Sequence, residues 1–129
     1  MNRLPQNAAK IVDAETWLRV GELLMQHRGE RLGSRDMANA LQCTKGWVLP
    51  LLLVMREHKI VKLGFGVYHR CTANPVACRD FEKGFQPTPW VCPECDEYVT
   101  SPDELTYDLL CIVPTQFDID SLIPEVGSK

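Results

Sequence analysis

Cys92-Pro93-Glu94-Cys95 decides how the second half of this chain folds. Two thiols separated by two residues, on a turn stiffened by proline, put both sulfurs on one side of the backbone. That is half of a tetrahedral zinc site. The other half is available upstream, where Cys71 and Cys78 precede the 13 residues that lead to Cys92. The pattern predicts one structural Zn2+ per chain, held by Cys71, Cys78, Cys92 and Cys95. Four protein donors close the coordination sphere, whereas a catalytic zinc keeps a position open.

The composition around these cysteines agrees with a stapled module. Pro75, Pro87, Pro89, Pro93 and Pro102 interrupt it, and helical periodicity is poor. Such a segment has little apolar material of its own, and bound zinc supplies folding free energy on the order of 10 kcal/mol. The six-residue gap between Cys71 and Cys78 is wider than a usual zinc knuckle. Whether His69 or Cys111 replaces one of the four ligands stays open. His69 alternates with Val67 and Tyr68 and reads as a strand residue. Cys111 lies in the apolar run Leu109-Leu110-Cys111-Ile112-Val113 and reads as a buried thiol. Tyr98-Val99-Thr100 reads as a strand, and Ser101-Pro102-Asp103-Glu104 as a capped turn. From Gln116 onward, acidic and apolar residues alternate, which predicts a tail that is disordered or docks on a partner or on the basic half.

The first half carries helical signals. Asp13 caps a helix with Trp17, Val20, Leu23 and Leu24 at helical spacing, and Gly29 ends it. Ser34 caps a second helix with Met37, Ala40 and Leu41 inward. Thr44 caps a third that runs to about His58, with Val48, Leu52 and Met55 inward and Pro50 predicted to kink or restart it. Ile60-Val61-Lys62-Leu63 and Val67-Tyr68-His69-Arg70 flank Gly64-Phe65-Gly66, which reads as a β-hairpin.

Three helices followed by a hairpin resemble a winged helix-turn-helix. The expected fold is α+β. It comprises a winged helix-turn-helix over residues 1–70, a zinc-ribbon-like β module over 71–115 and a C-terminal tail over 116–129. That order resembles the general transcription factor E alpha family, its archaeal counterparts and small prokaryotic regulators of the same layout. The resemblance implies a winged helix that contacts polymerase or partner proteins, and sometimes open DNA.

Charge divides along the same line. The net charge of −3 sums residues 1–70, with 11 Lys/Arg against 6 Asp/Glu, and residues 71–129, with 3 against 11. A front half at +5 attracts phosphates, and a back half at −8 repels them. Arg31, Arg35, Lys45, Lys62 and Arg70 are the candidate phosphate contacts. The third helix opens with Lys45, Gly46, Leu49 and Pro50, none of them a side chain for bidentate base recognition. Weak sequence readout follows. Trp47, Leu49, Leu51 and Val54 are read instead as an apolar outer face that packs on a protein partner, on the zinc module or on a second copy. Two function classes emerge. The expected one, because nucleic-acid binding is the commonest use of this fold, is a regulator bound to nucleic acid through phosphates, within a larger assembly. The other is an adaptor that joins proteins through the third helix and the acidic module.

Other classes lose support. There is no HExxH helix, Gly-rich phosphate loop or nucleophile elbow, so an enzyme is not expected. No apolar run reaches the roughly 20 residues that span a bilayer. The N-terminus lacks an apolar signal region, which predicts a cytoplasmic or nucleoid-associated protein that is not secreted and has no membrane partner. Clustered cysteines in a reducing compartment favour metal over disulfides.

Overall fold

A one-turn helix, α1 (Gln6–Ala9), precedes α2 (Ala14–Gln26) in the computed structural model, which describes residues 3–124. Asp13 caps α2 as its sequence position implies: its carboxylate accepts from the Thr16 N–H at 2.8 Å. Trp17, Val20, Gly21 and Leu24 form the buried stripe. The Trp17 indole donates to the Ala9 carbonyl at 2.7 Å, so the bulkiest core side chain keeps a partner for its N–H.

Strand β1 (Arg31–Gly33) leads into α3 (Ser34–Leu41) and α4 (Lys45–Glu57). Gly33, not Ser34, is the N-cap of α3, and Ser34 is fully buried in its first turn. Ala38 joins Met37 and Leu41 in the core, while Ala40 is exposed. Gln42 stops α3 in the left-handed region, at φ 57°. Thr44 caps α4, its hydroxyl accepting from the Trp47 N–H at 3.3 Å.

α4 runs through Pro50 without the expected restart. The proline sits on the exposed side, where water can serve the carbonyl it leaves unpaired, and Val48, Leu51, Leu52 and Met55 are buried on the other side. Leu51 therefore leaves the expected interaction surface, being 1% exposed. Leu53 is exposed instead, at 45%, as is Trp47 at 41%, with Leu49 and Val54 half-buried.

The sheet strands are β2 (Lys62–His69), β3 (Ala77–Asp80) and β6 (Leu105–Ile112), which with β1 follow the order β1-β6-β2-β3. A second, two-stranded sheet pairs β4 (Trp90–Val91) with β5 (Tyr98–Val99) in antiparallel register, Val91 opposite Tyr98.

The expected hairpin around Gly64-Phe65-Gly66 is corrected. Those residues lie inside β2, where Gly64, Phe65 and Gly66 face Asp80, Arg79 and Cys78 of antiparallel β3. Neither glycine has a positive φ. A Cβ at Gly66 would meet Tyr68 Cε1 at 3.4 Å and Leu110 Cδ2 at 3.6 Å, ordinary contact distances, so neither a turn nor crowding requires glycine there. The hairpin turn is the excursion that follows His69 and ends where the Val76 N–H donates to the Val67 carbonyl at 2.8 Å.

The chain divides into two compact units, with boundaries that differ from those expected at 70/71 and 115/116. The first runs to Lys62 and resumes at Cys111; the second is Leu63–Leu110. Residues 105–110 of β6 belong to the second unit. In the first, β1 meets the end of that strand: the Val113 N–H donates to the Glu30 carbonyl and the Gly29 N–H to the Val113 carbonyl, both at 2.9 Å.

Residues 116–124 belong to the helical unit, and those beyond them lie outside the described residues. Phe117 and Leu122 are buried, and the Leu4 N–H donates to the Ser121 carbonyl at 2.8 Å. Gly21 marks the contact on α2, since a Cβ there would lie 2.4 Å from Ile119 Cγ1. The core of the second unit is Val67, Val76, Cys92, Val99 and Leu105, with Ala77, Trp90 and Tyr107 packed against it. No helix among the described residues is long and apolar enough to cross a membrane.

Candidate metal centre

Strand alternation sets the first donor. Phe65, Val67 and His69 point to one face of β2, so the core that buries Val67 also buries His69, which is 3% exposed. Cys71 follows two residues later, in the turn toward β3. The hairpin of β4 and β5 presents the other two donors. Cys92 follows β4, and its N–H donates to the Glu97 carbonyl at 2.9 Å. The Asp96 N–H returns to the Cys92 carbonyl at 2.8 Å, and Asp96 takes the left-handed conformation, φ 60°, that reverses the chain. This is the knuckle expected of Cys92-Pro93-Glu94-Cys95.

Ligand atoms of His69, Cys71, Cys92 and Cys95 all lie within 4.8 Å of one another. Cys71 Sγ is 3.8 Å from Cys92 Sγ, and Cys95 Sγ is 3.6 Å from His69 Nδ1. A tetrahedral zinc with bonds of about 2.3 Å to sulfur and 2.0–2.1 Å to nitrogen has S···S edges of about 3.8 Å and S···N edges of about 3.6 Å. Those two edges match a tetrahedral zinc sphere, and the group can hold one metal ion. His69 and Cys92 are buried; Cys71 and Cys95 reach the surface as residues, with their sulfurs turned onto the group.

Cys78 is not among these donors, which corrects the expected four-thiolate set. It is opposite Gly66 in β3, and directly opposite residues of an antiparallel pair share a face. Gly66 and His69 point to opposite faces of β2, so Cys78 points away from the group. It also lies three residues back from His69 along the strand, roughly 10 Å. His69 supplies the fourth place. The signal for it was the alternation Val67-x-His69, which runs from core residue to donor.

Proton chemistry distinguishes the sulfurs. Burial pushes the Cys92 thiol up, but the N–H groups of Cys95 and Glu94 and the thiols of Cys71 and Cys95 outweigh it, and its pKa falls to about 7. The Cys71 thiol is pushed up to about 12, by loss of water first, then by hydrogen bonds to Cys92 and Cys95 and by their charge. The Cys92 and Cys71 thiols are thus pushed in opposite directions, and a bound cation would hold both as thiolates.

The imidazole is oriented from behind. His69 Nε2 is buried and lacks a well-aligned hydrogen bond, yet Glu97 Oε1 stands 3.3 Å away. The same oxygen pairs with the Arg70 guanidinium. A proton on Nε2 facing that carboxylate leaves the Nδ1 lone pair for a metal.

The remaining candidates are dispersed. Cys111 is fully buried in β6, where burial raises its thiol to about 12, as an inert core thiol requires. Arg31, Arg35 and Lys62 are exposed and Lys45 is half-buried, all in the first unit. Arg70 is exposed but engaged by Glu97 in the second unit. Comparison with known protein families, curated proteins and solved structures finds no match to this chain. The site is therefore argued from its own geometry.

Proposed function

We propose that this chain is a non-catalytic protein-interaction module, a winged helix joined to a zinc-ribbon-like hairpin, with one structural Zn2+ on His69, Cys71, Cys92 and Cys95. The donor set supports zinc: three thiolates and an imidazole suit a tetrahedral ion, and four protein donors leave no position for substrate. Zn2+ bound there cross-links β2 to the β4–β5 hairpin. Helices α2, α3 and α4 followed by the β2–β3 hairpin support the winged-helix reading by their order.

The observation that carries the adaptor role is the outer face of α4. Trp47 and Leu53 are exposed around Pro50, on the helix that a DNA reader would present to the major groove. Exposed Trp47 and Leu53, each three residues from exposed Pro50, without base-reading donors, fit an apolar protein surface better than a groove. A second reading, phosphate binding, draws support from exposed Arg31, Arg35 and Lys62.

Fluorescence titration of duplex DNA at low salt separates the two. The adaptor reading expects no salt-sensitive binding, and expects the partner that co-purifies with the tagged chain from its native cells to be lost with Trp47→Ala. Tight binding that weakens steeply with salt and with Lys62→Ala would instead establish the nucleic-acid role. Elemental analysis tests the metal separately, with one zinc per chain expected.

A further inference from the structure

Phe85 is 64% exposed, the most exposed large hydrophobic side chain among the described residues. Its position is built. Gly84 turns the chain at φ 68°, and the Arg79 guanidinium donates to the carbonyls of Lys83 at 3.2 Å and Gly84 at 3.0 Å and to Gln86 Oε1 at 3.3 Å. The Gln86 N–H donates to the Tyr107 hydroxyl at 2.9 Å. Behind the ring stand Tyr107 and Phe65, with centroids 4.4 and 5.3 Å away. An aromatic side chain already ordered in solvent binds with little further loss of entropy, and such residues dominate interface energetics.

The first unit carries a matching concavity. An apolar groove of about 390 Å³ lies between α1, α2 and residues 122–124, lined by Ala9, Val12, Trp17, Leu18, Leu122 and Ile123. Leu18 and Ile123 in this lining are exposed by 43% and 37%. Lys10 is the charged side chain in its lining.

We propose that the groove receives Phe85 of a second copy of this chain, so that copies join head to tail. Charge selects this occupant. Residues 63–110 hold three basic and eight acidic side chains, net −5, leaving 11 and 9, net +2, for the rest of the chain. An acidic unit bearing the aromatic knob thus meets a basic-leaning unit bearing the groove, with Lys10 in its wall and Asp80 near Phe85 in the sequence. Single-stranded nucleic acid, which would also stack on Phe85, is repelled by the −5 unit. Each copy has one knob and one groove, so the contact is heterologous. A contact centred on one side chain is small, and its strength belongs to the weak, transient class.

Sedimentation equilibrium of the full zinc-loaded chain, from micromolar to about millimolar concentration, tests this. The mass is expected to rise above that of a monomer. Phe85→Ala and Leu18→Glu should each weaken association by at least about 30-fold. An equimolar mixture of the two variants should regain a two-chain complex and stop there. The first variant keeps its groove, the second its knob, and only one contact can form. Leu18 is a surface residue, so its variant decides the matter even if Phe85→Ala misfolds. The proposal is overturned if the native chain stays monomeric throughout or Leu18→Glu associates unchanged. It is equally overturned if the folded mixture fails to pair, or if a monomeric chain binds an oligouridine probe through Phe85.

Discussion

The buried Nε2 of His69 lies 3.3 Å from Glu97 Oε1, and that oxygen also pairs with Arg70. The imidazole is thus fixed from the side opposite its metal-facing nitrogen. Carboxylates in this position set the tautomer and orientation of a ligating histidine. Glu97→Ala should weaken zinc binding by about 10–100-fold. Competition with a chromophoric chelator measures it, and unchanged affinity would remove the assigned role of Glu97.

Cys78 and His69 exchange the roles that their residue types suggest. Cys78→Ser should keep one zinc per chain and His69→Ala should lose stoichiometric zinc at submicromolar free metal. Cobalt substitution checks the donors, because the native chain should show the charge-transfer intensity of three thiolates and Cys78→Ser should leave it unaltered. A band weakened by about one thiolate's share in Cys78→Ser would restore the four-thiolate set.

Two leucines of α4 separate core from surface. Leu51 is 1% exposed and Leu53 is 45% exposed. Leu51→Ala should cost about 2–5 kcal/mol, and Leu53→Ala less than about 1 kcal/mol. Urea denaturation provides both values; equal costs would put the wrong face of α4 inward.

Gly21 should resist any side chain. Its missing Cβ would stand 2.4 Å from Ile119 Cγ1. Gly21→Ala should destabilise the chain by about 1–3 kcal/mol through overpacking, with part of the loss recovered by Ile119→Ala, which removes both close atoms. A thermal melt of the double variant no better than that of the single would disprove the contact.

Glu104 gives an acid-dependent contribution. Its carboxylate accepts from the Ser101 N–H at 2.8 Å and the Thr100 N–H at 2.9 Å, completing a capping box with Ser101. Those bonds, Ser101 first, lower its pKa from the ordinary 4.5. A carboxyl group with a depressed folded-state pKa stabilises the fold fully above its unfolded value and loses that effect as pH falls through the folded one. The stability gap between the native chain and Glu104→Gln should therefore be constant near neutrality and shrink below pH 4.5. A gap unchanged down to pH 2 would exclude the mechanism.

Several elements were legible because their causes are local. Asp13, Thr44 and Ser101 announce helix and turn starts, since a cap needs only a side-chain oxygen within a few residues of the free N–H groups it serves. The same locality makes the Cys92–Cys95 knuckle readable as half of a metal site. Proline and glycine misled where tertiary contacts outweighed preference. Pro50 is carried by the buried side of α4, and Gly64 and Gly66 lie inside paired β2 instead of in a turn.

What the sequence determined by itself is the α+β composition, the three helices, with Asp13 and Thr44 capping two of them, and the thiol knuckle, because short-range hydrogen bonding and helical periodicity specify them. Only the tertiary structure decided that His69 displaces Cys78 and that residues 116–124 return to the helical unit. The first depends on the register of β2 against β3, where one step in the strand reverses the face a side chain occupies. The second depends on Ile119 meeting a glycine in α2 that lies almost a hundred residues earlier, a match of shapes with no trace in local pattern.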